Sequence, residues 1–329
     1  TQIDLSMMTE IKELKSSLML NGDGFSDGPF LLLYRIEGQN STCYEDKIKV
    51  VIEDGRFEKF ITLKEKHLEA KGIVWELSDD EDILTQGESP LSWAHFQGKV
   101  TYLDERWRST YIDLFPVDFN APGRITVPVE EGGSFDAFVP ARIYAVMNVN
   151  GAGYSYDSME RWAWDYNLLN DRRDTFTIGR TELYGIHAFD VKSPCPTVFV
   201  AFRPTALSRV LQFDSDGDGL VQGEERKRME FEMRDSPTVI GPELKAENVK
   251  VWLNDSEQEV VQFDKIPEYN GSIWQVQYLL QIYPNPRPKR GVWHEIKVEV
   301  ESKESLRGDI EVDLVKGQSV FIVLEKQKT

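Results

Sequence analysis

The stretch Phe213-Asp214-Ser215-Asp216-Gly217-Asp218-Gly219-Leu220-Val221-Gln222-Gly223-Glu224-Glu225 decides how the 329-residue chain is divided. Short helical patterns flank it, and beyond them on both sides the sequence reads as β-strands. Counting Asp214 as the first position, carboxylates fall at the first, third and fifth, glycine at the sixth and glutamate at the twelfth. A hard cation such as calcium takes about 6–8 oxygens, and this spacing wraps one segment of chain around it. Asp214, Asp216 and Asp218 each supply an oxygen. Leu220 offers its backbone carbonyl, Gln222 a side-chain or water-mediated contact, and Glu225 both oxygens from the first turn of the following helix. Gly219 permits the sharp turn, because glycine alone enters that backbone region cheaply. Ca2+ is the cofactor this donor set suits.

On the entering side, Ala206–Phe213 places Leu207, Val210 and Leu211 on one helical face; on the exit side, Glu224–Met233 carries Met229, Phe231 and Met233. With these flanks the segment resembles an EF-hand, and the resemblance implies calcium binding. Val221, at the eighth position, is the residue that in such loops pairs with a second loop. The sequence holds one loop of this kind, so the expected role is a structural staple rather than a switch.

Upstream, short runs rich in branched and aromatic residues recur between Gly, Asp and Asn, from Phe30–Ile36 to Pro196–Phe202. Downstream, Asn248–Leu253, Glu257–Phe263, Trp274–Ile282, Val292–Val300, Asp309–Val315 and Ser319–Glu325 suit an immunoglobulin-like sandwich by count and spacing. The expected fold is therefore mainly β, two β-sandwich-like domains joined by a helix-loop-helix insert. Residues 1–203 form the first domain, 204–235 the insert and 236–329 the second. Met8, Ile11, Leu14 and Leu18 have helical spacing, which predicts an amphipathic helix over Met7–Leu20 ahead of the first domain. Ser158–Leu169 is a further helix candidate.

The 56 acidic and 38 basic side chains give a formal charge of -18, a field that repels polyanions and excludes nucleic acid as a partner. Two cysteines, Cys43 and Cys195, are too few for a disulfide framework or a zinc site. No apolar run approaches the ~18 residues of a membrane span, so a soluble chain is expected, extracellular or cytoplasmic alike.

Aromatic residues concentrate in Tyr154, Tyr156, Trp162, Trp164 and Tyr166, interleaved with Asp157, Glu160 and Asp165. Such rings cover a core edge or stack on a sugar. Paired carboxylates from this group, or Asp113 with Asp118, would suit acid–base work on a glycosidic bond. Asp79–Asp82 and Glu130-Glu131-Gly132-Gly133 read as solvated turns. From ARIYAVMNVNG (141–151) through DSMERWAWDYNLL (157–169) and DTFTIGRTELYG (174–185) to HAFDVKSPCPTVFVAFRP (187–204), the order of features is similar to the TerD-like stress-response domains. That resemblance implies a calcium-binding β-sandwich over roughly 98–213. No site residue is carried over from it, because the family's acidic calcium motif has no counterpart in Phe30–Ile52.

Two functions follow. The first is a calcium-binding, non-catalytic binding or scaffold protein whose single Ca2+ staples the junction between β domains, with a protein or carbohydrate partner. The alternative is a carbohydrate-active enzyme or carbohydrate-binding protein using segment 154–166.

Overall fold

The structure, a computed structural model, describes residues 2–10, 15–23, 28–38, 42–52, 57–63, 70–78, 83–90, 92–116, 124–191, 197–306 and 309–322, with side chains described chiefly from 92 onward. Asp79–Asp82, Asp118 and Cys195 lie outside the described residues. The chain is mainly β. Its first strands are β1 (Gln2–Glu10), β2 (Lys15–Asp23), β3 (Gly28–Gly38), β4 (Thr42–Ile52), β5 (Phe57–Leu63), β6 (Ala70–Ser78) and β7 (Ile83–Pro90). They form two antiparallel sheets, ordered β1-β2-β5 and β4-β3-β6-β7.

The helix expected over Met7–Leu20 is therefore corrected: its described residues lie in β1 and β2, paired in register from Gln2↔Asp23 to Glu10↔Lys15. Four apolar residues at helical spacing are outweighed by the alternation Ile3, Leu5, Met7 and by cross-strand pairing, which satisfies the backbone of β2 on both sides.

A sandwich follows, from β8 (Trp93–Tyr102), β9 (Thr110–Phe115), β10 (Ile125–Val129), β11 (Ser134–Pro140), β12 (Arg142–Gly151), β13 (Arg161–Leu168) and β14 (Arg172–Ile178). Sheet β11-β8-β14 faces strands β10-β9-β12-β13 across a core that includes Phe96, Phe135, Tyr144, Met147, Tyr166 and Phe176. The helix candidate Ser158–Leu169 is mostly strand β13, and the helix-like part of the TerD-like layout is corrected with it. Alternation explains this. Arg161, Ala163, Tyr166 and Leu168 are buried while Trp162 and Trp164 are half-buried, and the break in the two-residue period falls at Asp165, whose φ is 48°.

The second sandwich contains β15 (Thr181–Asp190), β16 (Val198–Ala206), β17 (Val249–Leu253), β18 (Ser256–Gln258), β19 (Val260–Tyr269), β20 (Trp274–Ile282), β21 (Trp293–Leu306) and β22 (Asp309–Ile322). Sheet β15-β16-β20-β19 packs on β17, β21 and β22 through a core that includes Phe202, Val251, Tyr278, Leu280, Ile296 and Val298. In β17, VKVWL buries Val249, Val251 and Leu253 and turns Lys250 outward, the two-residue period of a strand with one wet face. Tyr278 ties this core to the connection before β17, accepting the Leu244 amide at 2.9 Å and donating to the Pro242 carbonyl at 3.1 Å.

These pairings move the expected domain boundaries. β15 and β16, assigned by sequence to the first domain, complete the second core, so the change of core falls near residue 180 rather than at 203 or 236. The helices α1 (Leu207–Leu211) and α2 (Gly223–Glu232) lie between β16 and β17, inside the second sandwich's own sequence. The two sandwiches also share a sheet, β10-β9-β12-β13-β22-β21-β17-β18, joined by the parallel pair β13–β22 at Ala163↔Gln318 and Trp164↔Ser319. Among the described residues no helix is long and apolar enough to cross a membrane.

Candidate functional site

The α1–α2 loop is organised by its own carboxylates. Asp214 accepts the Gly217 amide at 2.7 Å on one oxygen and the Gly219 amide at 2.9 Å on the other. Asp216 accepts from the Asp218 amide at 3.2 Å, and Asp218 from the Leu220 amide at 2.7 Å. Gly217 and Gly219 have φ of 77° and 86°, the left-handed region that glycine enters without strain. Loop and helices stay anchored to the sandwich. Leu207 donates its amide to the Arg180 carbonyl at 2.7 Å, Ser208 to Glu304 at 2.9 Å, and Met233 accepts the Trp274 amide at 2.6 Å.

One oxygen from each of Asp214, Asp216 and Asp218 lies within 4.8 Å of the others. Oxygens bound to calcium at 2.3–2.6 Å stand at most about 5 Å apart, so this triplet could hold a cation of that size. Glu225 is not gathered into the triplet. Its Oε1 accepts from the Ser215 amide and hydroxyl, bonds that hold its carboxyl below the ordinary range. Leu220 and Gln222 lie on the same loop, Leu220 exposed. α1 spans five residues, shorter than the sequence pattern suggested; α2 follows that pattern closely.

The aromatic segment divides. Tyr156 sets its ring against Gly219, where an added Cβ would lie 2.2 Å from the ring, so the β12–β13 connection of the first sandwich touches the acidic loop. Trp162 and Trp164 stack at 5.9 Å, and Tyr184 from β15 meets both edge-on at 5.4 and 5.3 Å. Tyr154 is partly exposed nearby, with burial and the carboxylates Glu182 and Glu160 keeping its hydroxyl protonated. Tyr166 goes elsewhere. It is buried in the first core, its hydroxyl on Asp174 and its ring under the Arg172 guanidinium at 4.6 Å.

The carboxylates divide too. Asp157 lies 3.7 Å from Arg108, and Asp165 is partly buried, near His187. Glu160 meets a residue that the sequence reading missed, Glu182 of β15, which accepts the Glu160 amide at 3.5 Å and the Trp162 indole N–H at 3.4 Å. Burial, then repulsion by Glu182, pushes Glu160 up to about 8; burial pushes Glu182 up to about 7. Burial also raises Asp113, against a Thr126 hydrogen bond at 2.5 Å and the charge of Arg124. Glu182 stands 22 residues from Glu160 on a non-adjacent strand, and no local spacing signals their approach.

No family model and no curated protein matches the chain. Among solved structures, a DUF3823 family protein from Parabacteroides merdae is similar at 10% identity and a TM-score of 0.22, covering 68% of this chain and 98% of that one. Another DUF3823 family protein, from Bacteroides ovatus, is similar at 11% identity and a TM-score of 0.21, covering 69% and 98%. BcpA, the major pilin subunit of Bacillus cereus, is similar at 8% identity and a TM-score of 0.18, covering 70% of this chain and 69% of that one.

Proposed function

We propose that this is a calcium-binding, non-catalytic β protein in which a single Ca2+, held in an EF-hand-type loop, staples one sandwich to the other. The observation that carries the reading is the Asp214, Asp216, Asp218 triplet, with its oxygens within 4.8 Å of one another and Asp214 held by the Gly217 and Gly219 amides. The Leu220 carbonyl, Gln222 and Glu225 complete the ligand set, Glu225 turning from Ser215 to the ion. Three like charges this close repel one another, and a divalent cation relieves that repulsion.

The loop belongs to the connection between β16 and β17, while Tyr156 belongs to the first sandwich. Fixing the loop around an ion therefore fixes the surface on which Tyr156 rests. Binding to the folded form alone stabilises it by mass action. The experiment is scanning calorimetry of the full chain with calcium and with chelator, for the native protein and for Asp214→Ala. A calcium-dependent rise in Tm that the variant lacks supports the staple; equal Tm in all four samples refutes it.

The sugar-directed alternative has weaker support. Of its five aromatic residues only Trp162 and Trp164 stack together, while Tyr166 fills a core and Tyr156 covers the acidic loop.

A further inference from the structure

A cavity of about 380 Å³ lies between α2, the Tyr154–Met159 connection and strands β15 and β16, in the volume range of small-molecule pockets. Val210, Val221, Met159, Met229, Met233 and Ile273 make much of its wall apolar. Its cations are already matched: Arg203 makes two bonds to Glu268, and Arg226 bonds Glu230 at 2.9 Å. One acid is not matched. Glu182 lines the cavity, is 7% exposed, and among the described residues is bonded by two N–H groups at 3.4 and 3.5 Å. Among the described residues no basic side chain bonds it. The rings of Tyr154 and Tyr184 line the same space, each partly exposed.

A buried carboxylate without a counter-ion is costly, and a bound cation removes that cost. Aromatic faces attract the same cation, and thioether and branched walls accept an alkyl chain. We propose that this cavity binds a small alkylamine, its ammonium on Glu182 beside the Tyr154 and Tyr184 rings and its chain along Met159, Met229 and Val221. None of the proposed calcium ligands lines this cavity, although Val221, between Leu220 and Gln222, does.

Ionisation sets the sign of the pH dependence. The groups around Glu182 are Glu160, Tyr154 and Tyr184, with the paired Arg203–Glu268 and Arg226–Glu230 farther along the wall. With Glu182 raised to about 7, its carboxylate is mostly neutral at pH 6 and mostly charged at pH 8, while an alkylamine stays protonated at both. Binding tightens with pH, by about tenfold from 6 to 8, the ratio of the ionised fractions.

The test is isothermal titration calorimetry of the full chain with n-hexylamine, n-hexanol and n-hexanoate. Saturable binding of hexylamine alone, tighter at pH 8 than at pH 6, is the expected result. Glu182→Gln, which keeps the side-chain shape, lowers hexylamine affinity at least tenfold. Met229→Trp, which leaves Glu182 in place and fills the cavity, abolishes binding while scanning calorimetry reports a folded protein. No saturable heat with hexylamine, equal binding of hexanol, or unchanged affinity in Glu182→Gln would each overturn the proposal.

Discussion

The acidic loop and the cavity beside it share a wall but are built in opposite ways. In the loop, the hydrogen bonds that shape the turn join residues two to ten apart, from Asp216–Asp218 to Ser215–Glu225. In the cavity, Met159, Glu182, Arg203 and Met229 arrive from four separate parts of the chain, and the contacts that hold the wall span 22 residues from Glu182 to Glu160 and 65 from Arg203 to Glu268. The loop's chemistry is local and needs only its own spacing. The cavity depends on β15 lying near β13 while pairing in a different sheet. Charge is handled differently as well. The loop gathers carboxylates at the surface, whereas the cavity buries Glu182 and raises its pKa.

The largest effect is expected at the loop. Asp214→Ala removes an oxygen donor and the acceptor of two loop amides, and is expected to lower calcium affinity by at least 100-fold in a fluorescence or calorimetric titration. An unchanged affinity would place the ion elsewhere. Next comes the Glu160→Gln, Glu182→Gln pair. Both folded carboxyls titrate above their ordinary value of 4.5, at about 8 and about 7, so between those limits the folded state binds more protons than the unfolded. Stability is full below about 4.5 and is lost as pH rises towards 8. The double variant is expected to gain stability relative to the native protein as pH rises from 5 to 8, by at most about 6 kcal/mol for these shifts. Urea unfolding at the two pH values checks the sign, and a variant that loses stability relative to the native protein between them would refute it.

Gly219→Ala combines a left-handed φ with a Cβ driven into the Tyr156 ring, and is expected to cost roughly 1–3 kcal/mol and to weaken calcium binding. Tyr156→Ala leaves every ligand in place and removes only the contact between sandwich and loop. It should lower calcium affinity by a few-fold and reduce the Tm gain on calcium addition. A full calcium-dependent rise in Tm in that variant would separate the ion from any stapling role.

The same contrast explains what was legible in the sequence. Strands such as Val249–Leu253 announce themselves by alternation, and the acidic turn by the spacing of its aspartates and glycines, because both signals are local. Met7–Leu20 misleads because a few apolar residues satisfy a helical period by coincidence, and pairing with β5 decides the matter. Tyr166 was grouped with Trp162 and Trp164, but the positive φ at Asp165 shifts the alternation and sends its ring into the first core. The exchange of β15 and β16 into the second sandwich depends on β16 pairing with β20, about 80 residues on, which no stretch of sequence displays. Glu182 was invisible for the same reason.

Calcium stapling is tested by titrating calcium into chelator-stripped native protein and following both the heat of binding and the Tm. One saturable site with a Tm that rises as it fills is the predicted result. No saturable heat, with a Tm indifferent to calcium, would contradict it.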